Sequence, residues 1–138
     1  MEYITVDSHS REEMIEITRL VHERIRALDW DRRTGSAILH LMCMHTTAGL
    51  TVNENADPDV QRDMLLAMAA MVPEKLDYRH AEGNSTAHVK SSLFGIQLCL
   101  PLEEGRLVLG RWQGIYFCEF DGPRRGRQVA LQLIISAD

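Results

Sequence analysis

Residues 115–136, IYFCEFDGPRRGRQVALQLIIS, decide the predicted fold class because they contain two apolar runs separated by a turn. The runs at 115–121 and 128–136 have the length and composition of strands, and the Gly-Pro-Arg-Arg-Gly segment between them is typical of a hairpin connection. Strands joined by such a turn pair in antiparallel fashion. The stretch therefore predicts antiparallel sheet rather than the alternating strand–helix order of a doubly wound fold.

The rest of the chain adds further strand patterns. A second hairpin is predicted around Glu103-Glu104-Gly105, residues 2–6 alternate between apolar and polar side chains, and 36–44 form an apolar run around His40. Two groups of strands, one near each end of the sequence, are therefore expected to enclose the helices.

Two helices are predicted between these groups. The first is expected to begin at a cap formed by Ser8 or Ser10 and to continue to residue 28, because apolar residues recur every three or four positions. Asp57-Pro58 predicts the start of the second, with Asp at the cap and Pro at the first helical position. The pattern indicates one α+β domain over residues 1–138.

The composition excludes several classes of protein. The chain carries 15 Lys and Arg against 20 Asp and Glu, and the net charge of −5 disfavours a nucleic-acid partner. The longest apolar run, 64–72, is less than half of a membrane span, so no membrane partner is expected. No leader pattern opens the sequence, which predicts a cytoplasmic protein. Cys43, Cys99 and Cys118 are widely separated and are predicted to be reduced, buried residues.

Three histidines are the first candidate functional residues. His45 closes a predicted strand, whereas His80 and His88 bracket residues 77–90, a predicted loop that opens a short helix around 87–93. Imidazole can bind a divalent metal, act as a general base or donate to a phosphate. Two interpretations stay open. The three could be brought together from different elements, or they could be unrelated loop histidines, because their spacing matches no standard ligand motif.

Hydroxyl and amide donors are concentrated in the same segments as these histidines. Such groups suit an oxyanion or a phosphate, and Lys90 could neutralise its charge. Ordinary turn and capping chemistry is the alternative, and the Walker phosphate-binding loop is absent. The candidate donors are Thr46, Thr47, Asn84, Ser91 and Ser92.

Glu119 and the pair Trp112-Gln113 complete the candidates. Glu119 lies in an otherwise apolar strand, where a buried carboxylate needs a partner such as a cation, a metal-bound water or a histidine. The alternative is a carboxylate on the solvent face of an edge strand. Trp112 is flanked by glycines at 110 and 114, so it could cover a pocket or lie at a subunit interface.

Taken together, the motifs closely resemble the YjbQ-like family, whose members are often labelled secondary thiamine-phosphate synthase enzymes. The resemblance covers nearly the whole chain, in order and with compatible spacing. The motifs that carry it are His-Thr-Thr-Ala-Gly at 45–49, Asn-Glu-Asn-Ala-Asp-Pro at 53–58, Tyr-Arg-His-Ala-Glu-Gly-Asn at 78–84, Ala-His at 87–88, Ser-Ser-Leu-Phe-Gly at 91–95, Gly-Arg-Trp-Gln-Gly-Ile at 110–115 and Glu-Phe-Asp-Gly-Pro-Arg at 119–124.

This resemblance implies a fold, an assembly and a site. The implied fold is an α+β sandwich of two sheets with two helices, and the implied assembly is a homotrimer. The implied site lies among the loops that hold His45, His80 and His88. We expect these three histidines to be catalytic residues and ligands of a divalent metal, Zn or Mg, and Glu119 to be a catalytic residue that supports them. The donors named above with Lys90, Trp112 and Gln113 are the expected substrate-binding residues.

Two functions follow as expectations. The first is a small enzyme that acts on a phosphorylated metabolite, with weak thiamine-phosphate synthase activity. That reaction couples a pyrimidine pyrophosphate to a thiazole phosphate and releases pyrophosphate. The alternative is a non-catalytic trimeric module that binds a metal or a phosphorylated metabolite.

Overall fold

The computed structural model describes residues 1–28, 30 and 36–135, and these form eight strands and three helices. Except for Trp30, the predicted loop at 29–35 lies outside the described residues, as does the predicted strand end at Ser136. The elements in chain order are β1 (Glu2–Val6), β2 (Glu13–Glu16), α1 (Thr18–Ala27), β3 (Ser36–Cys43), β4 (Ala48–Glu54), α2 (Pro58–Met71), α3 (Ser85–Phe94), β5 (Gln97–Glu103), β6 (Arg106–Leu107), β7 (Gln113–Glu119) and β8 (Arg127–Ile135).

The strands form two antiparallel sheets, which confirms the predicted α+β sandwich. The larger sheet has the order β1-β8-β3-β5-β6, and the smaller one has the order β2-β7-β4. The β5–β6 hairpin is present as predicted. Its turn residues Glu104 and Gly105 both have positive φ angles, 47° and 78°, which is the backbone of a tight two-residue hairpin turn.

The prediction that residues 115–136 form one hairpin is wrong in its pairing. Strand β7 lies between β2 and β4 in the smaller sheet, whereas β8 lies between β1 and β3 in the larger one. Both faces of β7 are buried, so it occupies a central position with a neighbour on each side and has no free edge for β8. The segment 122–126 therefore connects the two sheets.

The helices also differ from the prediction. α1 begins at Thr18 because residues 13–16 instead form β2, which pairs with β7. The caps expected at Ser8 or Ser10 are therefore wrong. α2 begins as predicted, with the side chain of Asp57 accepting a hydrogen bond from the amide of Asp59 at 2.9 Å. α3 is a third full helix where only a short one was expected.

Side-chain alternation along β7 explains how the layers are built. Ile115 and Phe117 belong to the main core, which both sheets share with α1. Tyr116 and Cys118 point to the other side and pack with Ala87 of α3. Because every second residue of a strand shares a face, Glu119 points to the side of Ile115 and Phe117. The fold thus places a carboxylate at the end of its main core.

The outer face of the larger sheet exposes apolar side chains. Ile38 and Ile134 are register partners on β3 and β8, and they are 41 % and 52 % exposed. Tyr3 and Met42 lie on the same face, since each is the partner of Ala130. Cys99 of β5 is also exposed, so the prediction that all three cysteines are buried is wrong for this one.

Candidate functional site

A buried ion pair between the two sheets is the centre of the candidate site. Glu119 of β7 is fully buried, and Arg127 of β8 faces it with 6 % exposure. The guanidinium binds the carboxylate in bidentate fashion, with Nε at 2.9 Å from Oε1 and Nη2 at 2.5 Å from Oε2. The predicted buried carboxylate therefore has a cation as its partner, and the alternative of a solvent-facing edge strand is excluded.

Three further hydrogen bonds surround this pair, and with them the Glu119 carboxylate accepts four hydrogen bonds. The Ser8 hydroxyl donates to Oε1 of Glu119 at 2.8 Å, and the Asp121 amide donates to Oε2 at 3.3 Å. Nη2 of Arg127 also donates to Oγ1 of Thr47 at 2.9 Å. Burial alone would raise the pKa of the Glu119 carboxyl, but the bonds from Arg127 and Ser8 outweigh it and hold that pKa below its ordinary value. The carboxyl is therefore ionised at neutral pH.

The network extends from this pair to the first turn of α3. Asp121 accepts hydrogen bonds from Asn84 Nδ2 at 3.0 Å and from Arg124 Nη2 at 2.9 Å. These bonds lower the pKa of Asp121 against the opposing effect of its burial. Asn84 precedes α3, so the network ties the helix to the end of β7. We call this set the Glu119 cluster: Ser8, Thr47, Asn84, Glu119, Asp121, Arg124 and Arg127.

His45 lies beside the Glu119 cluster in a fixed protonation state. Its Nε2 accepts a hydrogen bond from the backbone amide of Gln128 at 2.8 Å, so the proton of the neutral ring is on Nδ1. Burial lowers the pKa of His45, and the positive charge of Arg127 lowers it further. The ring is therefore neutral at pH 7 and holds a donor at Nδ1, while its neighbour Thr46 is exposed.

The structure brings together two of the three predicted histidines, His80 and His88. Their rings meet edge to face, with centroids 5.3 Å apart, and Nε2 of His80 lies 3.8 Å from a carboxylate oxygen of Glu82. Among residues 1–28, 30 and 36–135 of one chain, no three His, Cys, Asp or Glu side chains are grouped to hold a metal ion. His45 does not complete the pair, and its Nε2 lone pair is already used. The donor set of a single chain thus does not fit a three-histidine metal site.

The predicted donors of α3 are directed into the protein. The Ser91 hydroxyl donates to the carbonyl of Ala48 at 2.7 Å and ties α3 to β4. Lys90 is buried, and its ammonium contacts the carboxylate of Glu12. Ser92 is exposed on the helix.

Trp112 and Gln113 lie at the other end of the smaller sheet. Gln113 begins β7 and Glu119 ends it, so six strand steps, about 20 Å, separate them. The Gln113 side chain folds back and accepts a hydrogen bond from the amide of Gly110 at 2.7 Å. Trp112 is 55 % exposed, with the guanidinium of Arg111 5.0 Å above its ring. One chain therefore does not bring these two residues to the Glu119 cluster.

A basic pocket borders the Glu119 cluster. It has a volume of about 360 Å³, and we call it the Arg124 pocket. Ser8 and Arg124 belong to both the pocket and the cluster. The exposed guanidinium of Arg125 has no ion-pair partner within the described part of the chain. The residues that line the pocket are Ser8, His9, Pro123, Arg124 and Arg125.

Sequence reasoning missed Arg127 and the role of Ser8. Arg127 follows Gly126 and begins an apolar strand, where it could be taken for the end of a turn. Arg127 shares a strand face with Val129 and Leu131, which both belong to the main core. This alternation is the signal that indicates an inward-pointing side chain. Ser8 precedes a polar stretch, and nothing local indicates that it contacts residue 119.

Comparisons with known proteins agree with this fold. A sequence model of the family described as UPF0047 protein YjbQ-like matches residues 2–136. UPF0047 protein YugU of Bacillus subtilis is 50 % identical over 123 residues, which cover 88 % of this chain and 89 % of YugU. A UPF0047 protein of Methanocaldococcus jannaschii is 42 % identical over 130 residues, covering 94 % and 90 % of the two chains.

Solved structures show the same likeness. An uncharacterised conserved protein of the yjbq/upf0047 family from Clostridium acetobutylicum superposes with a TM-score of 0.89 at 42 % identity, covering 97 % of this chain and all of that one. A conserved hypothetical protein of Thermus thermophilus superposes with a TM-score of 0.85 at the same identity and coverage.

Proposed function

Because the chain belongs to the UPF0047 YjbQ-like family, we propose that it binds a phosphorylated metabolite in the Arg124 pocket and acts on it as an enzyme. The observation that carries this proposal is the charge of the pocket. Within the Glu119 cluster, the charges of Glu119, Asp121, Arg124 and Arg127 cancel. Arg125 adds a further positive charge, and the lining of the pocket contains two arginines and no carboxylate, which suits a phosphate. The carboxylates of Asp7 and Glu13 lie at the rim, where they accept hydrogen bonds from the amides of Gly126 and His9.

The Glu119–Arg127 pair supports phosphate binding in a second way. A bare carboxylate next to the pocket would repel an anion, but Arg127 neutralises it. The pair also fixes Ser8, whose Oγ accepts a hydrogen bond from the Arg124 amide at 2.8 Å. The backbone of the pocket is therefore held in place before a ligand arrives, which lowers the entropy cost of binding.

His45 is the group that we assign to orienting the ligand. The Nδ1–H of its neutral ring can donate a hydrogen bond to a phosphate or pyrophosphate oxygen, and it keeps its proton while doing so. The reaction to test first is thiamine-phosphate synthesis, in which the methylene carbon of the pyrimidine loses pyrophosphate and bonds to the thiazole nitrogen. Stabilising the departing pyrophosphate is the contribution expected from Arg124 and Arg125.

A turnover assay with both substrates tests this proposal. We expect Arg125→Gln to lower kcat/KM by about tenfold or more, since one charge-assisted hydrogen bond contributes roughly 1.5–3 kcal/mol. Arg19→Gln is the matched control, because Arg19 is an exposed arginine of α1 whose partner is Glu23. Equal kcat/KM for the wild type and Arg125→Gln would contradict the proposed role of the pocket.

A non-catalytic binding module is the second candidate. It is favoured by the hydrogen bonds that surround the Glu119–Arg127 pair, because neither side chain is free to act as an acid or a base. This candidate predicts that phosphorylated ligands bind but are recovered unchanged. Ligand recovery after long incubation therefore separates the two functions.

A divalent metal, Zn or Mg, stays a prediction from the family resemblance. The described residues of one chain do not group three histidines as ligands. Elemental analysis of the purified protein checks the prediction directly, and His80→Ala, compared with His22→Ala, checks whether the His80–His88 pair holds the ion.

We also propose a homotrimer, which the resemblance implies. It is supported by the exposed apolar face of the larger sheet, where Tyr3, Ile38, Met42 and Ile134 lie together. A face of this kind is a typical protein–protein contact surface. Contact between copies would remove these side chains from water.

A further inference from the structure

A second charged pocket shares no residue with the Glu119 cluster. It has a volume of about 310 Å³, and we call it the Lys90 pocket. Four of its side chains are charged and two are apolar. The residues that line it are Arg11, Glu12, Ala69, Val72, Glu74 and Lys90.

Lys90 is the first indication of a ligand. Its side chain is 1 % exposed, and its ammonium contacts Glu12, which is the one acceptor that the described residues place there. An ammonium has three N–H donors, and buried donors without acceptors are costly. Within the described residues, two donors of Lys90 therefore lack a protein partner. An anionic oxygen entering the pocket would satisfy them.

The opposite charges of the pocket restrict what this ligand can be. Glu74 is half exposed, accepts a hydrogen bond from Thr86 Oγ1 at 3.1 Å and contacts Arg11 at 3.3 Å. The charges of Arg11, Glu12, Glu74 and Lys90 sum to zero. Because Lys90 and Arg11 already neutralise the two carboxylates, a simple anion would leave the pocket with an unbalanced negative charge, whereas a ligand that carries its own ammonium would keep it neutral.

We propose that the Lys90 pocket binds a small aliphatic amino acid. Its carboxylate accepts hydrogen bonds from Lys90, its ammonium is held by Glu74, and its side chain contacts Ala69 and Val72. This site is separate from the phosphate site of the Arg124 pocket, so the two can be tested independently.

Calorimetric titration with L-valine tests the proposal. Isobutyrate and isobutylamine, which carry only one of the two charges each, are the comparison probes. We expect L-valine to bind the wild type and each comparison probe to bind at least about tenfold more weakly. Glu74→Gln, at a half-exposed position, should weaken L-valine binding by a similar factor. Glu23→Gln, an exposed glutamate of α1, should leave it unchanged.

Several outcomes would overturn the proposal. One is the absence of L-valine binding to the folded wild type at 10-millimolar-scale concentrations, and another is isobutyrate binding as tightly as L-valine. A third is unchanged L-valine affinity in Glu74→Gln. Lys90→Met is a second variant, and it should abolish L-valine binding if it folds. Pyrophosphate binding should be the same in wild type and Glu74→Gln. Failure of the amino-acid proposal for the Lys90 pocket can therefore be distinguished from failure of the phosphate proposal for the Arg124 pocket.

Discussion

Burial lowers the pKa of His45 below its ordinary value of about 6.5, and the positive charge of Arg127 lowers it further. Protonation of Nε2 would also break the hydrogen bond from the Gln128 amide. At pH values between the lowered pKa of His45 in the folded protein and its ordinary pKa in the unfolded chain, the unfolded chain binds more protons than the folded protein. We expect the free energy of unfolding to fall as pH drops below about 6.5 and to level off below the folded pKa.

Urea denaturation at pH 7.5 and pH 5.5 measures this dependence. His45→Gln keeps an acceptor for Gln128 but does not titrate, so part of the pH dependence should disappear in this variant. His22→Gln should behave like the wild type. If His45→Gln lost as much stability at pH 5.5 as the wild type does, the assignment of the effect to His45 would be wrong.

The Glu119–Arg127 pair gives a second prediction for single residues. Glu119→Gln leaves a buried guanidinium without its counter-charge, and breaking a buried pair in this way costs about 3–5 kcal/mol. The double variant Glu119→Gln/Arg127→Met removes both charges and should cost less than the sum of the two single variants. Additive losses in chemical denaturation would mean that the pair is not coupled.

The sequence could predict that Glu119 needs a partner, but it could not identify the partner. A carboxylate among Tyr116, Phe117 and Phe120 signals burial through local pattern alone. Arg127 contacts Glu119 only because β7 and β8 belong to different sheets that face each other. The predicted hairpin instead made the two strands neighbours in one sheet, so it did not indicate this contact. The same limit explains Lys90, which the pattern presents as a free cation and the fold pairs with Glu12.

At the level of elements, the contact of β4 with the end of α3 leaves no space for a side chain at Gly49. A Cβ at Gly49 would lie 2.7 Å from the carbonyl oxygen of Gly95, a backbone atom that cannot rotate away. Gly49→Ala should therefore destabilise the protein by about 1–3 kcal/mol. Gly110→Ala is the control, since its Cβ would meet only the side chain of Gln113 at 3.2 Å. Thermal unfolding of both variants compares them, and equal melting temperatures would contradict this packing.

Element prediction succeeded where local signals are strong. Asp57-Pro58 marks the start of α2, and turn residues mark the β5–β6 hairpin. It failed at β2 and β4, because Glu13–Glu16 and Ala48–Glu54 contain polar residues that only pairing with β7 makes strand-like. Tertiary pairing overrides local pattern at both strands.

For the whole molecule, the proposed homotrimer has a mass that light scattering can measure. We expect three times the mass of one chain at micromolar concentration. Ile38→Lys should reduce that mass if the outer face of the larger sheet is the contact surface. Leu66→Lys places the same charge at an apolar residue of α2 that is 64 % exposed, and it should leave the assembly intact. A monomeric wild type would contradict the trimer.

The central claim is that the Arg124 pocket binds phosphate groups, and calorimetric titration with pyrophosphate at low salt tests it most directly. We predict saturable binding to the wild type and to Arg19→Gln, and binding about tenfold weaker or more to Arg125→Gln. Absence of binding to the wild type at millimolar pyrophosphate, or equal affinity in all three proteins, would contradict the account.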